Sequence, residues 1–203
     1  MHCTFFVTTG LLAGAVSLSA ASIVNSGFEP ATSVNSNNVL PGGSNAIPGW
    51  TTIENGVEWF NPAAFGSTVS PDGGYAVDLA NFTFSSGGIQ QTFATVAGQS
   101  YTVEFYASTS AGQGRLGTAE ILVEADGELQ QFDLVNMSTQ FVWDLYSFTF
   151  LADDDEATLT FSNFQNANLH FANIDGVSIV PAPATGLVLL SAISLQARRR
   201  RTA

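Results

Sequence analysis

The chain has 203 residues, 45% of them hydrophobic, with 17 acidic residues against five arginines and no lysine. All the acids lie between Glu29 and Asp175, where Arg115 is the sole basic residue, so that stretch carries −16, seventeen carboxylates against one guanidinium. Such a surface repels nucleic acid and anionic lipid, which sets nucleic-acid binding aside, and sixteen phenylalanines argue for a packed core rather than a disordered chain.

The first segment reads as a secretory signal. Phe5 to Leu18 is mostly apolar and uncharged, and Ser19-Ala20-Ala21 has the small residues that signal peptidase accepts, so residues 1–21 are expected to be removed. The stretch is too short for a stable membrane span, which needs roughly 20 apolar residues. Cys3 leaves with it, and the mature chain then has no disulfide. A domain of about 160 residues buries enough surface to fold without one.

Residues 22–49, rich in Asn, Ser, Gly and Pro, predict a short first strand and a long loop. From Trp50 onward strand follows strand. Tyr101, Val103, Phe105 and Ala107 alternate with more polar residues. Asp126-Gly127 is flanked by the strand segments 120–124 and 128–134, the signature of a tight hairpin. Phe141, Trp143 and Leu145 share one parity, Tyr146, Phe148 and Phe150 the other, which predicts a β-bulge near Leu145-Tyr146. Ala157 to Phe161 and Ile174 to Ile179 complete the pattern. No segment of the mature region has helical periodicity, so residues 22–179 are predicted to form one all-β sandwich or barrel.

The last segment runs Val180-Pro181-Ala182-Pro183, then an apolar stretch from Leu187 to Leu195, then Arg198-Arg199-Arg200-Arg201. The arginines would stay on the cytoplasmic side during export. Residues 180–203, with Pro181, Pro183 and the four arginines, resemble the PEP-CTERM sorting signal of Gram-negative bacteria, although Ala182 stands where that signal has Glu. The resemblance implies an apolar sorting helix that anchors in the membrane transiently or is retained there, an exosortase-type membrane protease as partner, and delivery by way of the inner membrane to the cell surface or extracellular matrix; the alternative is an ordinary C-terminal membrane anchor.

A second resemblance rests on motifs in order along the domain: Asn25-Ser26-Gly27-Phe28-Glu29, Ile47-Pro48-Gly49-Trp50, Gly56-Val57-Glu58-Trp59, Asp72-Gly73-Gly74-Tyr75-Ala76-Val77-Asp78, Gly87-Gly88-Ile89-Gln90-Gln91 and Ala172-Asn173-Ile174-Asp175-Gly176-Val177. Together they resemble the DUF642 and choice-of-anchor C families. That resemblance implies a jelly-roll β-sandwich of the galactose-binding-like type and polysaccharide binding outside the cell. It also implies a structural Ca²⁺ held by Glu29 and Asp175, tying the first segment to the last strand; the alternative is that both carboxylates only hydrogen-bond loop backbone.

Among the aromatic residues, Trp59-Phe60-Asn61 is expected nearest a rim and is the candidate sugar contact, most other aromatics being core. Asp153-Asp154-Asp155-Glu156 reads as a solvated loop. His170 is the one histidine of the mature chain, which removes a Cys-His dyad and argues against zinc; no Gly-x-Ser-x-Gly elbow accompanies it. The chain is therefore expected to be non-enzymatic. Two functions stay open: a module binding envelope or matrix polysaccharide, and a structural surface protein without a specific ligand.

Overall fold

The computed structural model of the chain describes residues 21–66, 69–81 and 85–182. Residues 1–20 of the expected signal peptide, and all of the sorting segment beyond Ala182, including Pro183 and Arg198 to Arg201, lie outside the described residues; Ala21, the last residue of the expected signal, is described and is buried against the core. Pro181 lies within them, at the end of the last strand.

Twelve strands occur among the described residues: β1 (Asn37–Leu40), β2 (Thr51–Glu54), β3 (Val57–Phe60), β4 (Ala76–Asp78), β5 (Ala80–Asn81), β6 (Ser85–Ala94), β7 (Ser100–Ser108), β8 (Thr118–Ala125), β9 (Glu128–Val135), β10 (Asp144–Leu151), β11 (Glu156–Ser162) and β12 (Asn173–Pro181). One short 3-10 turn, Pro62–Phe65, follows β3. The strands form two antiparallel sheets. The first runs β1-β3-β4-β12-β7-β10 and the second β2-β6-β11-β8-β9, with β5 paired to β6. The all-β sandwich expected from the alternation is the architecture observed.

Period-2 alternation explains the core. Tyr101, Val103, Phe105 and Ala107 of β7 all point inward and are buried, as do Ile121 and Val123 of β8 and Leu159 and Phe161 of β11. Phe105 sits at the centre, with ring centroids 5.0 Å from Phe161, 5.4 Å from Phe132 and 5.8 Å from Tyr146. The β8–β9 hairpin turns at Asp126 and Gly127, both with positive φ (48° and 77°), the backbone that an Asp-Gly turn accepts.

Two expectations are corrected. β10 pairs with β7 in unbroken register from Asp144↔Ala107 to Leu151↔Ser100, so there is no bulge at Leu145-Tyr146. Tyr146, Phe148 and Phe150 take the inward face and Leu145 is exposed; Phe141 and Trp143 precede the strand and pack elsewhere, which is why both parities are aromatic. The register shift lies instead in β12, between Asp175 and Ser178. Secondly, the short strand of the 22–49 segment is β1, which follows a strandless stretch at 21–36 instead of opening the segment. Val24 is held by a side chain: its amide donates to Gln91 Oε1 (2.6 Å) and its carbonyl accepts from Gln91 Nε2 (2.9 Å), so one glutamine stands in for a ladder rung.

Candidate functional site

The site follows from a burial pattern that a simple sandwich does not have. Along β3, Val57, Glu58, Trp59 and Phe60 are all buried, and so are Ala76, Val77 and Asp78 along β4. Val57, Trp59 and Val77 face the core between the sheets. The alternate residues point to the outer face of the first sheet, where water would normally be. Strand register lines them up: Glu58 is opposite Asp78, Asp78 opposite Asn173, and Asn173 opposite Ser108. This polar row crosses four strands, and its members are 7%, 2%, 0% and 2% exposed.

Loops bury it. Residues 109–117, 136–143 and 163–172 fold over the outer face and are tied to one another through backbone. The Ala111 amide donates to the Ser138 carbonyl (2.8 Å), Leu116 to Leu169 (3.0 Å) and Asn136 to Gly117 (2.7 Å). Between loops and sheet lies a cleft of about 280 Å³. Its floor holds Asn37, Glu58, Asp78 and Arg115, and its walls are Phe60, Phe65, Phe141 and Phe171. Phe60 packs edge-on against Phe141 (5.8 Å) and Phe65 (6.1 Å), forming with Ala76 a small apolar cluster separate from the main core. The 3-10 turn that presents Phe65 is capped by Asn61, whose side chain accepts the Ala63 amide (3.0 Å).

The electrostatics are unusual. Arg115 lies flat over the Phe171 ring, its guanidinium carbon 3.5 Å from the centroid, and 3.9 Å from Asp78 Oδ2. Asp78 Oδ1 accepts the Ala80 amide (2.8 Å). Burial pushes the Asp78 carboxyl up to about 8, against the opposing pull of Arg115 and the Ala80 amide, and the neighbouring Glu58 adds to the rise. Burial also raises Glu58, opposed by a hydrogen bond from Asn37 and by Arg115. Asn37 Oδ1 is buried without a hydrogen-bond partner, as is Asn173 Oδ1 in the polar row. A hydroxyl-rich ligand suits such a floor, since it brings donors to the orphaned Asn37 oxygen and apolar C–H faces to aromatic walls.

The residues singled out from the sequence fall in different places. Trp59 is not at a rim: it points into the core, 2% exposed, with its indole N–H donating to the Phe28 carbonyl (2.7 Å), because register assigns it the face opposite to Glu58 and Phe60. Phe60 lines the cleft, and Asn61 acts through its cap on the turn. Sequence reasoning missed Glu58, Asp78 and Arg115. One signal was available for Arg115: it is the sole cation in a strongly acidic domain.

Glu29 and Asp175 meet on one loop. Glu29 Oε1 accepts the amides of Gly74 (2.7 Å) and Tyr75 (2.8 Å), while Asp175 Oδ2 accepts Ser70 Oγ (2.6 Å) and the Asp72 amide (2.8 Å). The loop 70–75 is thereby clamped between the N-terminal segment and β12. Gly73 is required there: its φ is +95°, and a Cβ would collide with the Glu29 carboxylate. Burial raises Asp175 to about 7, opposed by the bonds from Ser70 and the Asp72 and Gly176 amides, and its Oδ1 is buried without a partner of good geometry. Among the described residues no group of three or more His, Cys, Asp or Glu is assembled for a metal. A cation here would thus complete its shell with backbone carbonyls and hydroxyls beside the two carboxylates. His170 is tied down structurally, its Nδ1 lying 2.8 Å from the Thr118 carbonyl.

Fold and site together define an antiparallel β-sandwich with a loop-covered cleft on one outer sheet face. The chain belongs to the DUF642 family, described as a protein of unknown function, whose pattern matches residues 21–179. No curated protein matches it. Among solved structures it is similar to an arabinose-bound α-L-arabinofuranosidase, MgGH51, with a TM-score of 0.49 and 15% identity, covering 83% of this chain; it spans 27% of that enzyme's length. It is also similar to TmCBM61 in complex with β-1,4-galactotriose, with a TM-score of 0.45 and 14% identity over 66% of this chain and 90% of that one. A CBM4 structure matches with a TM-score of 0.45 and 14% identity, over 79% of this chain and 100% of that one.

Proposed function

We propose that the protein is a non-enzymatic, exported module that binds polysaccharide of the envelope or extracellular matrix in the cleft between the outer sheet face and the 109–117, 136–143 and 163–172 loops. The observation that carries this reading is the pairing, in one cleft, of a buried polar floor containing an orphaned acceptor with phenylalanine walls. Sugars offer hydroxyl donors at their edges and apolar C–H faces, and this cleft matches both. Binding rather than turnover is favoured by the seating of Asp78. Its carboxyl is 2% exposed, with one oxygen accepting the Ala80 amide and the other facing Arg115, a seating that supports a fixed structural role over a reacting one.

Export and surface sorting are part of the same proposal, resting on the signal-like first segment and the Pro-Ala-Pro, apolar and arginine order of the tail, which an exosortase-type protease would process. A structural Ca²⁺ held by Glu29 and Asp175 belongs to it too, supported by the shared loop and the partnerless Asp175 Oδ1.

Screening the full-length protein against immobilised bacterial exopolysaccharides and a broad glycan array tests the binding. Retention by at least one glycan, weakened in both Phe60→Ala and Phe65→Ala, is expected. Absence of retention across the array would overturn it in favour of a structural surface protein without a specific ligand. Mass spectrometry of the secreted form tests export, with a new N-terminus at Ser22 and loss of the tail as the expected result.

A further inference from the structure

We propose that Glu58 and Asp78 share a single proton beneath Arg115, and that ligand binding in the cleft is coupled to that proton, the singly protonated floor being the form that binds. This rests on the reading of the cleft as a glycan site and adds a regulation to it.

The geometry comes first. Glu58 and Asp78 are direct cross-strand partners on the same sheet face, which puts their Cβ atoms roughly 4.5–5.5 Å apart. Both are buried, and one guanidinium serves the two of them. Two ionised carboxylates so placed repel each other, and a single cation cannot neutralise both, so one proton is retained. Asp78 is the better seat. It is the more deeply buried of the two, and its Oδ2 lies 3.9 Å from Arg115, beyond hydrogen-bond length. The direction of its shift, upward to about 8 with Glu58 as a contributing cause, agrees.

Among the described residues no other ionisable group rivals the pair for control of the floor. β1 brings no charge, and the 62–65 turn and the 136–143 loop bring none. The 109–117 loop brings only Arg115. On β12, Asp175 lies two residues beyond Asn173 and is engaged with Ser70 and Asp72. On β7 the row ends at Ser108, with Tyr106 opposite Asp175 and Glu104 opposite Ser178, further along the strand. From the 163–172 loop, His170 is held against Thr118.

The coupling follows from desolvation. A glycan seated in the cleft displaces the water that still reaches Glu58, so an unneutralised second carboxylate costs more in the complex than in the free protein. With one proton retained, Arg115 and a single carboxylate balance. When pH removes that proton, binding weakens, by up to about tenfold per pH unit above the midpoint for a one-proton linkage.

Two measurements on the full-length protein test this. Carboxyl ¹³C NMR of the free protein should show Asp78 titrating above pH 7 in wild type and at lower pH in Glu58→Gln, where its paired carboxylate is gone and its burial remains. If both carboxyls titrate below pH 5, the shared proton is overturned whatever the ligand. Calorimetry with cellohexaose, xylohexaose and β-1,4-galactotriose, run from pH 6 to 9.5 together with whichever glycan the array retains, should show affinity falling above pH 8. In Asp78→Asn that dependence should vanish; if that variant misfolds, Glu58→Gln gives the same readout, and His170→Gln should leave the slope in place. Wild-type binding that is flat across the range overturns the coupling and leaves glycan binding standing. No binding at any pH overturns the glycan reading and the coupling with it, while the NMR titration still decides the shared proton.

Discussion

Glu58 and Asp78 face each other across β3 and β4 on the outer side of a sheet, yet both are almost fully enclosed, with Arg115 the only cation beside them among the described residues. The sandwich core does not need them, since it is built from the opposite faces of the same strands. Their burial is a cost to the fold that the loops over the outer face impose.

That cost has a pH signature. In the folded protein Asp78 is raised to about 8 and Asp175 to about 7, against an ordinary value of 3.8 for each, and Glu58 is raised too. The folded state therefore keeps protons that the unfolded chain loses near pH 4. Stability is expected to be greatest in mild acid, to fall as pH rises from about 4 to about 8, and to level off above that. Urea unfolding at pH 5 and pH 8.5 checks the sign. Asp78→Asn should narrow the difference, being more stable than wild type by on the order of 1–3 kcal/mol at pH 8.5 and close to it at the acid end. A wild type more stable at pH 8.5 than at pH 5 contradicts the assignment.

Phe65 separates binding from folding. It is 49% exposed on the cleft wall, so Phe65→Ala should change stability by no more than about 0.5 kcal/mol. Loss of a stacking face should weaken glycan retention about tenfold, on the order of 1.4 kcal/mol. Affinity electrophoresis beside a melting curve reads both. Unchanged retention removes Phe65 from the site.

Phe105 provides the contrast. It is fully buried and touches rings from both sheets, so Phe105→Ala should cost about 3–5 kcal/mol and reduce binding only through unfolding. Denaturant midpoints are sufficient to check this.

The clamp on the 70–75 loop yields two expectations. Gly73→Ala should destabilise by about 1 kcal/mol or more, because its backbone has positive φ and the added carbon displaces the Glu29 carboxylate from Gly74 and Tyr75. Calcium in excess should raise the melting temperature and EDTA lower it, with a gain of about 2.7 kcal/mol at a hundredfold over Kd. Glu29→Gln and Asp175→Asn should each abolish the response. A melting temperature indifferent to both additions would leave Glu29 and Asp175 as loop clamps alone.

What the sequence by itself determined is local. Alternation set the strands β7 and β11 and their inward residues, and Asp126-Gly127 set the β8–β9 hairpin, because side-chain period and turn backbone are properties of neighbours in the chain, whereas in β12 the register shift after Asp175 changes the inward parity from Ile174 to Val177 and Ile179. The Ca²⁺ tie between Glu29 and Asp175 came from the family resemblance rather than from local pattern; the two carboxylates bond the same 70–75 loop. Three matters belonged to tertiary structure. Register decided that Trp59 turns inward while Glu58 and Phe60 turn outward, and nothing within Val57-Glu58-Trp59-Phe60 distinguishes those faces, since one residue of slip exchanges them. The aromatic run from Phe141 to Phe150 divides between a strand and a cleft wall, which depends on where β10 begins to pair with β7. The cleft itself unites residues from Asn37 to Phe171, and Asp78 and Arg115 meet only after loops far apart in the chain fold over one sheet face. Burial of a charged residue is a property of what covers it, and the covering residues are not its neighbours in sequence.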